Sequence, residues 1–408
     1  MEPVDVDLVR WLGSPGGRDL LRSLGSYAEA RVPAESTRLR GLGLSAEQVA
    51  ALLTQQRLRT RAHEKFGDLA DDLLFTADGL EQASRPEVAA GHAERFAAAG
   101  LERVHDLGCG VGADAIALAI AGVRVEAIDA DPVTAAIAGA NLRPWPGSTA
   151  EVGLAEDFRP PADRDRIGAW LDPARRTTGA ADIRGRTRRV FRLDDICPSW
   201  DVVRGIAAEV PATGVKLSPS FPHNEIPPGA ESQWVSRAGT VLECAIWWGP
   251  LVRSPGRTAR ILRPGGPPVD VTEEDATDDA SALTGAGGLG PWLYEVDRAL
   301  VQAGLISAVT AATHGRELEA GVGYVTGDTA YDLPTARRYA VLDALPFHPK
   351  TLRTLLREKG IGGLTIKQRG VRINDDTLRK QLKIGRSGGD QATVLLTPVA
   401  GRPTALLV

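Results

Sequence analysis

In residues 45–59, SAEQVAALLTQQRLR, the apolar side chains Val49, Leu52, Leu53 and Leu58 recur at helical spacing. Ser45 followed three positions later by Gln48 is a capping-box pattern and predicts where that helix starts. SPGG at 14–17 breaks two shorter helical pieces, so residues 1 to about 75 read as helical. GLEQASRPEVAAGHAERFAAAG (79–100) then reads as one or two helices. From about residue 103 the pattern alternates. RVHDLG, VRVEAID, AEVGLAED, IGAWLD and GVKLSP read as strands, and ADAIALAIAG, PVTAAIAGANL and DDICPSWDVVRGIAAEV as helices between them. Strands alternating with helices of this length predict a mostly parallel, doubly wound sheet. ESQWVSRAGTVLECAIWWGPL reads as an antiparallel hairpin around Gly239 that closes the sheet. Residues 265–290 have no sustained period and read as a surface excursion with weak strand character at its start. WLYEVDRALVQAGLISAV reads as helix. The last 75 or so residues give the strand RYAVLDAL, the helix PKTLRTLLREKG, the strand GLTIKQRG, the helix DDTLRKQLK and the strands ATVLLTPVA and PTALLV. Together they form a compact α+β domain.

Composition changes this picture at two points. The three cysteines, Cys109, Cys197 and Cys244, include no C-x-x-C pair. They favour a reducing, cytoplasmic setting and argue against a disulfide scaffold or a structural metal. No apolar run reaches the length of a membrane span, and the opening MEPVDVDLVRWL lacks the features of a secretory leader. The net charge of −4 hides an asymmetry: residues 1–330 carry a balance of −12 and residues 331–408 one of +8. A basic tail on an acidic body suggests a polyanionic partner. Chance surface composition is the alternative.

The chemistry concentrates in VHDLGCGVGADAIALA (104–119). Gly108, Gly110 and Gly112 sit between a strand and a helix, where a backbone without Cβ atoms lets a ligand come close. The spacing is G-x-G-x-G, not the dinucleotide G-x-G-x-x-G. Asp106, two residues before the first glycine, would repel a pyrophosphate and suits a ligand with an ammonium group. Asp129 ends the next strand, at the position that takes ribose hydroxyls in doubly wound sites. Asp157 follows the third strand and could accept a hydrogen bond from an adenine amine.

These blocks resemble the class I S-adenosylmethionine-dependent methyltransferases: DLGCGVG their first motif, AIDADP their second and AEDF their third. The resemblance implies S-adenosyl-L-methionine as cofactor, with the three glycines shaping its loop and Asp106, Asp129 and Asp157 along its length. Gln82, Ser84 and Arg85, in the segment before the first motif, are further cofactor or substrate candidates, with helix capping as the equal alternative. After the fourth strand, AWLDPARRTTGA keeps Asp172-Pro173 of the pattern found in amino-methylating nucleic-acid enzymes. Ala174 replaces a second proline and Arg175 an aromatic. Asp172 can orient or deprotonate a nucleophile, with Pro173 and Arg175 beside it. The nucleophilic cysteine of uracil-C5 methyltransferases has no counterpart in the right place, because Cys244 falls in a strand. Residues 175–192 hold seven arginines and one acid, Asp182. Arg175 and Arg176 are substrate candidates there, and Lys216 and His223 after the fifth strand are others. Trp234, Trp247 and Trp248 read as packing.

The chain as a whole resembles a bacterial family with a class I methyltransferase followed by a THUMP-like domain. That resemblance predicts an α/β, Rossmann-like class I methyltransferase sheet with an N-terminal helical segment (1–95), the methyltransferase domain (96–330) and a small C-terminal α+β THUMP-like domain (335–408). It implies RNA, a tRNA or rRNA base, as substrate. Phosphate contacts are expected at Lys367, Arg369, Arg379 and Lys383, with Lys380 and Arg386 beside them. A small-molecule or protein methyltransferase, and a non-catalytic RNA-binding protein that retains the fold, are the alternatives. Neither the oligomeric state nor the methylated atom is legible.

Overall fold

The computed structural model describes residues 5–162, 164–175, 193–277, 281–383 and 390–408. The chain forms two compact units, Met1–Ala230 with Ala245–Arg253 and Glu231–Cys244 with Ser254–Val408. Among the described residues, no helix is long and apolar enough to cross a membrane.

The first unit opens with α1 (Val6–Gly13), α2 (Pro15–Leu24), α3 (Val32–Gly41) and α4 (Ala46–Phe66). Ser14 ends α1 and caps α2, with Pro15 in the first turn, where its missing N–H costs nothing. The capping box of α4 is closed. The Gln48 N–H donates to Ser45 Oγ at 3.2 Å and the Ser45 N–H to Gln48 Oε1 at 3.0 Å. Val49, Leu52 and Leu58 are buried, and Leu53 partly so. α5 (Ala77–Gln82) and α6 (Pro86–Ala98) follow.

The alternating region supplies β1 (Arg103–Leu107), α7 (Ala113–Ile120), β2 (Arg124–Asp129), α8 (Pro132–Leu142), β3 (Thr149–Val152) and β4 (Ile167–Leu171). A short antiparallel ladder of β5 (Ala174–Arg175) and β6 (Ile196–Cys197) precedes α9 (Trp200–Glu209) and β7 (Ala212–Leu217). β1 pairs in parallel with β2 and β4, β2 with β3, and β4 with β7. The strand order is therefore β7–β4–β1–β2–β3. Two expectations are corrected here. The third strand ends at Val152, and Ala155–Asp157 is a 3-10 turn. DDICPS is not part of the α-helix: Leu193–Asp195 is a 3-10 turn, Pro198 disfavours helix at Cys197, and α9 starts only after Ser199, whose Oγ accepts from the Val202 N–H. Trp170 stacks on Trp247 with ring centroids 5.3 Å apart, and Phe96 meets both edge-on, so Trp247 is core.

The second unit begins with β8 (Glu231–Arg237) and the first part, to Cys244, of β9 (Thr240–Trp247), joined by Ala238 and Gly239 at φ 50° and 77°. Two positive φ values in a two-residue loop are the signature of a type I′ hairpin turn. The sequence predicts this hairpin to close the sheet, and it does not. β8 pairs in parallel with β10 (Gly256–Leu262), and β10 pairs antiparallel with β11 (Val269–Thr272), the strand foreseen in the excursion.

WLYEV was expected to start a helix and is instead β12 (Trp292–Val296). Its aromatic and branched side chains favour strand, Leu293, Tyr294 and Val296 are buried, and Asp297 caps the helix that follows. α10 (Arg298–Ala303), α11 (Ser307–Thr313), β13 (Arg316–Glu317), β14 (Tyr324–Gly327) and β15 (Ala336–Ala340) follow, in a sheet ordered β13–β14–β12–β15. RYAVLDAL is two strands, because β15 pairs with β12 while β16 (Asp343–Pro346) pairs with β19 (Arg402–Leu407). Between them lie α12 (Pro349–Glu358), β17 (Ile361–Gln368), α13 (Asp375–Leu382) and β18 (Asp390–Val399), in a sheet ordered β16–β19–β18–β17. Leu352, Leu356, Leu378 and Leu382 pack the two helices onto that sheet.

Candidate active site

Parallel pairing brings the carboxyl ends of β1, β2, β4 and β7 to one edge. Asp106 is the penultimate residue of β1, Asp129 the last of β2, Asp172 the first after β4, and Lys216 the penultimate of β7. The chain runs outward in opposite directions from β1 and β4, and such a switch point is where doubly wound sheets bind ligands.

The glycine turn after β1 takes conformations that other residues avoid: φ is 104° at Gly108, 56° at Gly110 and 87° at Gly112. The N–H groups of Gly108 and Cys109 both donate to the Ile128 carbonyl at 2.9 Å, hooking the turn onto β2. Asp129 ties the same turn down. Its Oδ2 accepts from the Gly110 N–H at 3.0 Å and its Oδ1 from the Asp131 N–H at 2.9 Å. Burial raises the Asp129 carboxyl above its ordinary value, against those two backbone hydrogen bonds. α5 lies against the turn, since a Cβ on Gly79 would collide with Val111 Cγ1.

Asp106 is fully buried, and neither carboxylate oxygen has a hydrogen-bond partner among the described residues. Burial, followed by the charges of Asp114, Asp172 and Asp129, pushes its carboxyl well above the ordinary value, with Lys216 opposing. An orphaned buried carboxyl of this kind fits a ligand that brings a cation and N–H donors.

Lys216 Nζ forms an ion pair with Asp172 Oδ2 and donates to Ser84 Oγ at 3.3 Å. Ser84 Oγ donates to Asp114 Oδ2 at 2.7 Å, and His92 Nδ1 lies 2.7 Å from Asp114 Oδ1. His92 rests on Trp170 with ring centroids 4.3 Å apart. Burial works to raise the Asp114 carboxyl, but the hydrogen bond and charge of His92, the Lys216 charge and the Ser84 hydrogen bond leave it below its ordinary value. Sequence reasoning missed Asp114 and His92. The signal was one acid in the first turn of an otherwise alanine- and isoleucine-rich helix. It also missed Lys65, whose ammonium donates to the carbonyls of Leu80 and Glu81 at the end of α5. Burial, then the charges of Lys216 and Arg85, lowers that lysine to about 8.

The other sequence candidates are more scattered. Gln82 is exposed at the end of α5, and Arg85 precedes α6. Asp157 and His223 are exposed in 3-10 turns. Pro173 follows Asp172, and the backbone of Arg175 is on β5. Arg176, with the arginine-rich stretch to 192, and Arg386 lie outside the described residues. In the second unit, Lys367 and Arg369 share a strand face as expected, but that face turns inward. Lys367 Nζ donates to Glu295 Oε2 at 2.5 Å and to Tyr339 Oη at 2.9 Å. Arg369 bonds the carbonyls of Val296 and Gly323 at 3.1 Å and Glu295 at 3.3 Å. Their expected role as open phosphate contacts is therefore corrected: most of their hydrogen-bonding capacity is spent inside the unit. Arg379 is exposed and pairs with Asp375 at 2.9 Å, while Lys383 is exposed with left-handed backbone that ends α13. Among the described residues, no group of three or more His, Cys, Asp or Glu side chains is placed to hold a metal ion.

Comparison with known proteins gives the family and the fold. A protein of Mycobacterium tuberculosis, described as an uncharacterized S-adenosylmethionine-dependent methyltransferase, is 32% identical over 356 residues, covering 84% of this chain and 90% of its own. The same match is found in strains CDC 1551 and H37Rv. The chain belongs to this family of S-adenosylmethionine-dependent methyltransferases, and the enzyme uses S-adenosylmethionine. The THUMP domain-like family matches residues 336–408, and a domain family of unknown function matches residues 5–62. The crystal structure of a candidate methyltransferase from Porphyromonas gingivalis W83 shares the fold, with a TM-score of 0.68, 21% identity, and coverage of 94% of this chain and 98% of that one.

Proposed function

We propose that this methyltransferase acts on structured RNA, a tRNA or rRNA base, and that the edge formed by β1, β2, β4 and β7 is its reaction centre. The observation that carries the cofactor side is Asp106: a buried carboxyl with no partner beside three glycines at positive φ. When bound, the cofactor supplies a methyl group on a sulfonium. Asp106 would hold the amino group of its methionine end. Asp129 would take the ribose hydroxyls while keeping Gly110 in place, and Asp157 and Gln82 lie on the segments that would flank the adenine. Lys216 fixes the direction of the Asp172 carboxylate, and the Ser84–Asp114–His92 chain beneath fixes Lys216. A carboxylate oriented in this way aligns a nucleophile and accepts its proton as the new bond to carbon forms.

The RNA half rests on the THUMP domain-like match at 336–408 and on the +8 balance of residues 331–408 against −12 before them. Comparing digested RNA from a strain lacking the gene with its parent, by nucleoside mass spectrometry, tests it. One methylated nucleoside should disappear and should return when purified protein and S-adenosylmethionine are added to the deficient RNA. Identical profiles, with methyl label going to protein or small molecules instead, would overturn the RNA assignment.

A further inference from the structure

The second unit contains a cavity of about 640 Å³ lined by the Ala238–Gly239 turn, the end of β12, the start of α10, and faces of β15 and β17. This lies within the range of about 300–1,000 Å³ typical of small-ligand sites. Its charged lining is Arg298, Arg337, Lys367 and Arg369 against Glu295 and Asp297. The two acids are already occupied. Glu295 accepts from Lys367, from Tyr339 Oη at 2.8 Å and from Arg369. Asp297 accepts from Ser236 Oγ at 2.6 Å and from the Ala299 N–H at 2.8 Å. Arg298 and Arg337 are exposed, and among the described residues neither makes an ion pair. Arg337 stands opposite Glu295 in the β12–β15 ladder, and its guanidinium is 5.1 Å from the centre of the Tyr339 ring, so its position is set.

We propose that this cavity is a phosphate-binding site in which Arg298 and Arg337 grip the phosphate oxygens and the Lys367–Glu295–Arg369 cluster supplies a fixed positive floor. The balance of cations over acids in the lining is two, which matches a phosphate monoester dianion or two neighbouring phosphodiesters. Guanidinium groups bind phosphate through paired, charge-assisted hydrogen bonds, and two without carboxylate partners at one cavity have that capacity free. Only the carrier of the phosphate, an RNA strand, rests on the function proposed above.

The test is calorimetry on the full chain at low salt with two probes, inorganic pyrophosphate and a 5′-phosphorylated single-stranded oligoribonucleotide. The variants are R298A/R337A and, as a control of equal charge loss, K350A/R357A, whose side chains are exposed on α12. Both probes should bind the parent protein. R298A/R337A should weaken each at least tenfold with its melting temperature held, and the control less than twofold. For the RNA strand, the slope of log affinity against log salt should also flatten by about 0.7 per lost contact. Pyrophosphate bound in this arginine-dependent way without RNA binding would uphold the site, assign it to a free phosphorylated small molecule, and count against RNA as substrate. RNA bound equally by both double variants would overturn the site and leave the RNA assignment standing. Binding of neither probe would also overturn the site.

Discussion

The strand-end edge of the first unit and the cavity of the second are built on opposite electrical majorities. At the edge, one lysine, Lys216, faces Asp172 directly and Asp106 and Asp114 through its charge. In the cavity, one glutamate, Glu295, holds Lys367 and Arg369. In each place one side chain of the minority sign holds part of the majority, and another part has no ion-pair or carboxylate hydrogen-bond partner among the described residues: Asp106 at the edge, Arg298 and Arg337 in the cavity. The difference teaches what each region is suited to meet. Unanswered buried carboxyl attracts an ammonium, and unanswered guanidinium attracts a phosphate.

Four variants sharpen or break that comparison. The largest effect is expected from Asp172→Asn. Single-turnover methyl transfer to RNA should slow by about 10²–10⁴-fold, the range of a lost general base, while calorimetry with S-adenosylhomocysteine gives unchanged affinity. A parental rate would reduce Asp172 to a strand-end residue. Next is Lys216→Met, which strands carboxylates at the edge. Urea unfolding should show a loss of about 3 kcal/mol, at the low end for a broken buried pair, since the lysine side chain is 16% exposed and that of Asp172 30%. An unchanged midpoint would mean that the edge does not depend on its one cation.

Asp106→Asn comes third. S-adenosylhomocysteine affinity should fall by about 2 kcal/mol, the scale of one charge-assisted hydrogen bond. Stability should move the other way. With its carboxyl raised in the fold, the ligand-free protein keeps a proton that the unfolded chain has released, so stability falls as pH rises from the ordinary carboxyl value through the raised one. The variant lacks that slope and should melt higher than the parent above the window, with the gain gone in acid. The same titration makes parental affinity for S-adenosylhomocysteine rise with pH. The smallest effect is expected from Glu295→Gln. Burial works to raise Glu295, but the hydrogen bonds from Lys367 and Tyr339 and the charges of Lys367 and Arg369 hold it below its ordinary value. Its contribution is therefore present above the unfolded-chain value and lost as pH falls through the lowered one. The variant should lose about 1–2 kcal/mol at neutral pH, discounted because Lys367 is 33% exposed, and converge on the parent in acid.

The glycine turn was legible because the sequence offers few other uses for three glycines between a strand and a helix, and all three adopt positive φ. The partners across the edge were not. Lys216 and Asp172 are 44 positions apart and meet only because β4 and β7 pair in parallel. WLYEVDRAL misled because a short apolar run followed by a helix has no period of its own to separate the two. Alternation correctly put Lys367 and Arg369 on one face, but it does not say whether that face meets solvent or Glu295. Where charge is spent inside a fold depends on strand neighbours, which composition does not record.

The β12–β15 ladder has a practical consequence for anyone cutting the chain. The THUMP domain-like match starts at residue 336, which invites expression of 336–408 alone, or of the chain without it. Either cut falls between two strands whose residues pair from Trp292–Ala340 to Val296–Ala336, and it parts Glu295 from Lys367 and Arg369. The shorter product would carry two uncompensated cations and an open strand edge, a template for self-association. The longer product would keep β12 with one side bare. A fragment starting at 254 keeps the ladder whole but omits β8, the parallel partner of β10. Point substitution in the intact polypeptide is therefore the sounder way to ask what the tail binds, and a truncation that precipitates would report a severed sheet rather than a lost ligand.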